Sequence, residues 1–174
     1  MIEAVYYTSL NFSTMKLLIA SSSKGLLLIE FNKEQEEFVE LLKDHFPSLE
    51  PIKDREKNLQ YINQLTEYFQ GKRKEFTFPI SLTGTAFQTK VWKELANIPY
   101  GKTASYRDIA ERIDNPKAMR AVGMANNKNK LPIVIPCHRV IGVNNRLIGY
   151  GGGLHIKEEL LKLEGINVKD DKVI

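Results

Sequence analysis

The pattern of apolar and polar positions changes from strand-like to helical along the chain. EAVYYTSL, MKLLIAS and LLLIEF are short apolar-rich runs of strand character, the last two separated by the turn residues Ser22, Ser23, Lys24 and Gly25. They predict an antiparallel unit. Two helices are expected next, one from about Glu34 to His45 and one carrying Leu59, Ile62, Leu65 and Phe69 at three- to four-residue spacing until Gly71 ends it. FTFPISL then leads into the second half.

From there the pattern is mostly helical. Phe87, Val91, Trp92, Leu95 and Ile98 mark one apolar face, closed by Pro99 and Gly101. Ser105 with Asp108 three residues on has the form of a capping box and starts a helix at Tyr106, buried through Ile109, Ala110 and Ile113. Asn115 as cap and Pro116 at the first helical position predict another helix, about Lys117 to Asn127. Two short helices across a tight turn have the spacing of a helix-turn-helix, whose second helix meets DNA. That helix, KAMRAVGMANN, carries the small residues Ala118, Ala121, Gly123 and Ala125 and one long cation, Arg120. Small side chains serve close helix packing and close approach to DNA equally, and Gly123 costs a helix about 1 kcal/mol relative to Ala, which suggests a steric need.

Charge divides the chain in the same place. Residues 1–83 hold ten Lys/Arg against twelve Asp/Glu, residues 84–174 fifteen against nine, and between Asp114 and Glu158 there are seven basic residues and no acid. A basic stretch of this kind is either a solvated face or a nucleic-acid contact. With the shift in periodicity, it puts a boundary near Ser81 to Gly84. The expected fold class is α+β: a small N-terminal antiparallel sheet with helices over 1–83, then a mainly helical domain over 84–174 containing the helix-turn-helix and the cysteine.

At 174 residues, 43% hydrophobic and 26% charged, the composition is that of an ordinary globular protein. No apolar run has the roughly 18 to 20 residues a membrane span needs, and MIEAVYYTSLNF lacks the features of a secretory signal, so a cytoplasmic protein without membrane contact is expected. A single cysteine excludes an internal disulfide. His45, His138 and His155 give no zinc-like spacing with it, so neither metal nor cofactor is expected.

A lone cysteine is more often a small buried hydrophobe than a nucleophile. Its neighbours in NKNKLPIVIPCHRVIG change that reading, because the apolar run carries the chain inward and Pro136 bends it just before Cys137 and His138. The thiolate is the reactive form of cysteine, and an adjacent imidazole is the base that supplies it. On an extended chain the two side chains point to opposite sides, which leaves direct contact or a bridging water as the route for the proton.

IPCHRVIG, SYRDIA, NPKAMRAVG and YGGGLHIKEELLKLEG together resemble the active-site signature, helix-turn-helix and site-closing segment of the O6-alkylguanine-DNA alkyltransferases. The similarity covers about residues 84–165; the N-terminal part matches in position and in strand-helix character. The resemblance implies that Cys137 is the alkyl acceptor, that His138 removes its proton through a water, and that Glu164 orients the imidazole. Outside that context Glu164 reads as a surface residue closing a helix before Gly165.

The resemblance further implies that the second helix lies in the minor groove with Lys117, Ala121 and Gly123 against DNA, and that Arg120 fills the gap left by an extruded nucleotide. Tyr106 would donate to guanine N3, and Asn129 would brace the turn between the reading helix and an active-site strand. The Val140 carbonyl would accept from the guanine amine, and Tyr150 with Pro132 would flank the alkyl group. Gly151 stands where a serine usually precedes two glycines, leaving a backbone N–H to reach O6. The implied function is irreversible, single-turnover repair of O6-alkylguanine in double-stranded DNA, with O4-alkylthymine as a further substrate, by a monomer without cofactor. A binder of alkylated bases that does no chemistry, and a Cys-His-Glu hydrolase or acyltransferase, are the alternatives.

Overall fold

The structure is a computed structural model that describes residues 1–174. The chain divides into two compact units, Met1–Leu82 and Thr83–Ile174.

In the first unit, β1 (Glu3–Phe12), β2 (Met15–Ser22) and β3 (Gly25–Phe31) form the expected antiparallel meander. After α1 (Gln35–His45) comes a strand that local pattern does not predict, β4 (Leu49–Lys53), which pairs parallel to β1. The sheet, ordered β3-β2-β1-β4, is therefore mixed rather than antiparallel. LEPIK has no apolar alternation and contains Pro51, which cannot donate to a ladder and suits only the edge where β4 sits. Val5, Tyr7, Leu18, Ala20 and Leu28 pack with Phe38, Leu42 and Phe46 from α1 and the residue after it. Asn58, fully buried before α2 (Leu59–Phe69), donates to the carbonyls of Tyr6 and Asp54 and accepts from Ser21, tying the helix start to the strands.

The second unit begins with α3 (Ala86–Ala96), entered through a capping box between Thr85 and Gln88. Its buried Trp92 donates Nε1–H to the Ala125 carbonyl of α5 (Met119–Asn127) at 2.8 Å. Strand β5 (Ala104–Ser105) runs straight into α4 (Tyr106–Arg112), which carries the expected box of Ser105 and Asp108.

Helix α5 starts two residues later than expected, and Asn115 is not its cap. Asp114 adopts a left-handed φ of 59°, its N–H bonds to the Glu111 carbonyl, and the Asn115 N–H bonds to the Ala110 carbonyl. These are the two bonds of a Schellman motif ending α4, so Asn115 and Pro116 terminate one helix instead of opening the next. A turn closed from Ala118 N–H to the Asn115 carbonyl then leads into α5, which has no side-chain cap. Beyond β6 (Val140–Ile141), α6 (Leu154–Leu163) ends on a second Schellman pair around Gly165, at φ 84°. The hairpin of β7 (Val168–Lys169) and β8 (Lys172–Val173) closes the unit. No helix is long and apolar enough to cross a membrane.

Candidate active site

The apolar run before the cysteine is a buried turn, not a strand. Ile133 is held at φ 75°, unusual for a β-branched residue, and Ile135 N–H bonds back to the Leu131 carbonyl. Pro136 lies at φ −79°, ψ 63°, so Cys137 N–H reaches the Ile135 carbonyl at 2.7 Å in an inverse γ-turn. Asn129 braces the same point: its Nδ2 donates to that carbonyl at 2.8 Å, and its Oδ1 accepts from Leu131 N–H. A 3-10 turn over Cys137–Arg139 follows, then β6, parallel to β5. That pairing sets Cys137 on one strand's approach and Tyr106 at the other's end.

Cys137 is 3% exposed. Burial pushes its thiol up, and the nearby polar side chains of Asn129 and Tyr150 and the charge of Lys157 only partly offset that. The resting group is a neutral thiol that needs a base.

His138 has no exposed surface, and its Nε2–H donates to Glu164 Oε1 at 2.8 Å. The same carboxylate accepts from Arg139 Nε (2.9 Å to Oε2), Arg139 Nη2 (2.8 Å to Oε1) and Gly101 N–H (3.2 Å). Burial alone would raise Glu164, but the hydrogen bonds from His138 and Arg139 outweigh it and hold the carboxyl well below the usual range. An ionised acceptor fixes the imidazole proton on Nε2, and Nδ1, buried and without a hydrogen-bond partner, keeps its lone pair. Burial lowers His138 despite Glu164, so the ring rests neutral. The Schellman end of α6 puts Glu164 at the C-cap, turned inward at 5% exposed, and not on the surface.

Two buried cations were not among the residues expected from the sequence. Arg139 clamps Glu164 and also donates Nη1–H to the Ile98 carbonyl at 2.6 Å. Lys157, fully buried on α6, donates to the carbonyls of Val140 and Ile148. In the sequence both read as parts of a basic stretch that is either a solvated face or a nucleic-acid contact; the signal for Arg139 is its place directly after the Cys-His pair, and nothing local marks Lys157.

Tyr106 donates its hydroxyl to the carbonyl of Ile148 at 2.9 Å and to that of Gly149 at 3.3 Å. Burial, then Cys137, pushes its pKa up to about 12, which keeps it a donor. Its ring lines a cavity of about 360 Å³ with Arg120, Gly123, Asn127, Ile148 and others, so the sequence-expected Tyr106, Arg120 and Gly123 come together. Cys137, Val140, Tyr150, Pro132 and Gly151 do not line it. A methyl added at Gly123 would meet the Tyr106 ring at an ordinary 3.8 Å, so nothing within the folded chain requires glycine there. Lys117 is exposed in the turn before α5, Ala121 is half-buried on it, and Pro132 is buried in the turn before Cys137. Gly151 is exposed, with only the Asn127 carbonyl near a side chain added there, at 3.7 Å.

Both units match models of one family. Residues 86–166 match 6-O-methylguanine DNA methyltransferase, DNA binding domain, and residues 5–82 match its ribonuclease-like domain. The inducible methylated-DNA–protein-cysteine methyltransferase of Bacillus subtilis is 45% identical over 161 residues, 92% of this chain and 90% of that one. The methylated-DNA–protein-cysteine methyltransferase of Methanosarcina mazei is 44% identical over 165 residues, covering 95% of this chain and all of its own. The crystal structure of Mycobacterium tuberculosis OGT in complex with DNA superposes with a TM-score of 0.78 at 38% identity, over 91% of this chain and 92% of that one. With both units matched and full-length relatives at this identity, the chain belongs to the O6-methylguanine-DNA methyltransferase family.

Proposed function

We propose that this protein repairs duplex DNA by moving an alkyl group from O6 of guanine, and from O4 of thymine, onto Cys137 Sγ, once per molecule. The observation that carries the reading is the buried series Cys137, His138, Glu164: a neutral thiol beside an imidazole whose Nε2 is committed to an ionised carboxylate and whose Nδ1 is open. His138 Nδ1 takes the thiol proton through a water, and the sulfur attacks the alkyl carbon. The S–C bond forms as the C–O6 bond breaks, and the bonding pair passes to the guanine ring, which then takes up a proton. A thioether has no leaving group that water can displace at neutral pH, so the protein is consumed.

Tyr106 would exchange the Ile148 and Gly149 carbonyls for guanine N3, where charge gathers as the C–O6 bond breaks. The Val140 carbonyl has a second lone pair for the guanine amine beyond the one engaged by Lys157. Asn129 supports the thiol, Tyr150 and Pro132 would flank the alkyl group, and the Gly151 N–H would reach O6. The target atom is inside the stack, so the nucleotide must be extruded. Arg120, exposed at the rim of the Tyr106 cavity, would take its place, with Lys117, Ala121 and Gly123 against the minor groove. Residues 84–174 would carry binding and chemistry and residues 1–83 a structural role, in a cytoplasmic monomer.

The test is turnover on excess duplex oligonucleotide containing O6-methylguanine. Repair should stop at one base per protein. Many bases per protein would mean a hydrolase, and none with retained binding would mean a recognition module.

A further inference from the structure

The β7–β8 hairpin lies beyond residue 166, where the family match ends, yet it folds against the loop that walls the Tyr106 cavity. That loop gives the cavity two pairs of residues, Gly142 with Val143 and Ile148 with Gly149. Residues 144–147 run between the pairs, and the hairpin holds this stretch. Leu147 N–H donates to the Asp171 carbonyl at 2.8 Å, Val173 N–H donates to the Asn145 carbonyl at 2.9 Å, and Arg146 pairs antiparallel with Lys172. Strand β8 is thus flanked by β7 on one side and by the loop on the other. Leu147, the one buried side chain between Val143 and Gly149, packs with Leu161 of α6 and Val168 of β7, and Ile166 and Val173 cover the cluster.

Tyr106 and Lys157 secure the Ile148 carbonyl, and the hairpin secures the backbone just before it. None of the hairpin's bonds to the loop involves Cys137, His138 or Glu164. We infer that the C-terminal hairpin is the brace of the cavity wall, and that it sets how tightly the alkylated guanine is held while leaving the chemical step to residues it does not touch. Leu147, Asp171 and Val173 are then positioning residues, acting through the loop. The inference rests on the proposed reaction, in which Tyr150 and Gly151, directly after this wall, meet the alkyl group and O6.

The hairpin turn can be loosened or tightened. Asp170 and Asp171 both adopt left-handed φ, 51° and 55°, as a two-residue type I′ turn requires. Asp-Gly supplies that geometry with less strain than Asp-Asp, because glycine has no Cβ to crowd the backbone. Val173→Pro removes the N–H that reaches Asn145, and Asp171→Gly eases the turn while keeping the carbonyl that Leu147 uses.

The experiment is the concentration dependence of benzyl transfer from free O6-benzylguanine, for the unmodified protein, Val173→Pro, Asp171→Gly and a chain ending at Asn167. Val173→Pro should raise the half-saturating concentration roughly fivefold, the contribution of one hydrogen bond, with the limiting rate retained. The shortened chain should raise it further, and Val173→Pro decides the matter if that chain does not fold. Asp171→Gly should lower it. Amide hydrogen exchange over residues 142–149 of the free protein should quicken in Val173→Pro and slow in Asp171→Gly. An unchanged half-saturating concentration in Val173→Pro, or a loss confined to the limiting rate, would overturn the inference and leave the hairpin as packing for α6. Absence of any benzyl adduct on Cys137 of the unmodified protein would instead defeat the proposed reaction, and the exchange comparison would still decide whether the hairpin holds the loop.

Discussion

Arg139 holds Glu164 through two nitrogens, Nε at 2.9 Å from Oε2 and Nη2 at 2.8 Å from Oε1, with both side chains withdrawn from solvent. This clamp keeps the carboxylate ionised, so Glu164 orients His138 without competing for its proton. It also makes Glu164 a stability residue. Glu164→Gln would leave Arg139 buried without its anion, a loss of about 3 to 5 kcal/mol, or roughly 10 °C in melting temperature for a chain this size. Cys137→Ser removes no charge and should unfold within a few degrees of the parent. Equal melting points for the two variants in thermal unfolding would show the clamp to be energetically idle.

Acid should weaken the fold in two stages. His138 and Glu164 are both held below their ordinary values, so the unfolded chain binds their protons more readily, and stability falls as pH drops. The His138 contribution is complete above its unfolded value of about 6.5 and the Glu164 contribution above about 4.3. Denaturant unfolding from pH 8 to pH 3 should therefore show a decline beginning near neutrality and a second below about pH 4.5, the second reduced in Glu164→Gln. A profile that is flat down to pH 4 would contradict this arrangement.

Arg120 should matter only when a base has to leave the stack. It is exposed at the rim of the Tyr106 cavity and bonds nothing in the buried relay. Extrusion costs a few kcal/mol, so Arg120→Ala should slow repair of duplex O6-methylguanine by roughly tenfold or more, while benzyl transfer from free O6-benzylguanine stays near the parent rate. An equal loss on both substrates would make the arginine a structural part of the site.

Duplex affinity should show a shallower salt dependence than the seven basic residues between Asp114 and Glu158 suggest. Two of them, Arg139 and Lys157, are buried, which leaves Lys117, Arg120, Lys128, Lys130 and Arg146. Lys117→Ala and Lys128→Ala should each reduce the slope of log K against log salt by about 0.9, and Lys157→Met should leave it unchanged. A change in slope on removing Lys157 would mean that it reaches phosphate.

Features set by neighbouring residues were legible in the sequence, and features set by distant ones were not. The three-strand meander, the period of the helices and the Ser105–Asp108 box depend on local pattern and appear as expected. Strand β4 depends on pairing with β1 some 46 residues away, and LEPIK carries no mark of it. At Asn115-Pro116 the same two residues suit the end of one helix and the start of another, and the Schellman bonds to Ala110 and Glu111 decide for the end. Cys137 and His138 stood out through their own neighbours, Pro136 and the apolar run before them, whereas Glu164 was legible through the motif resemblance alone. Arg139 and Lys157 looked like surface charge because burial of a cation is a tertiary property, visible only once Glu164 and the Val140 carbonyl are in place.

The central claim is tested most directly by intact-mass measurement and peptide mapping after the protein meets duplex O6-methylguanine. The account predicts a gain of one methylene per molecule, located on Cys137, with Cys137→Ser gaining nothing while still binding the duplex through its phosphate contacts. Repair that leaves the protein mass unchanged, or an adduct on any other residue, would contradict it.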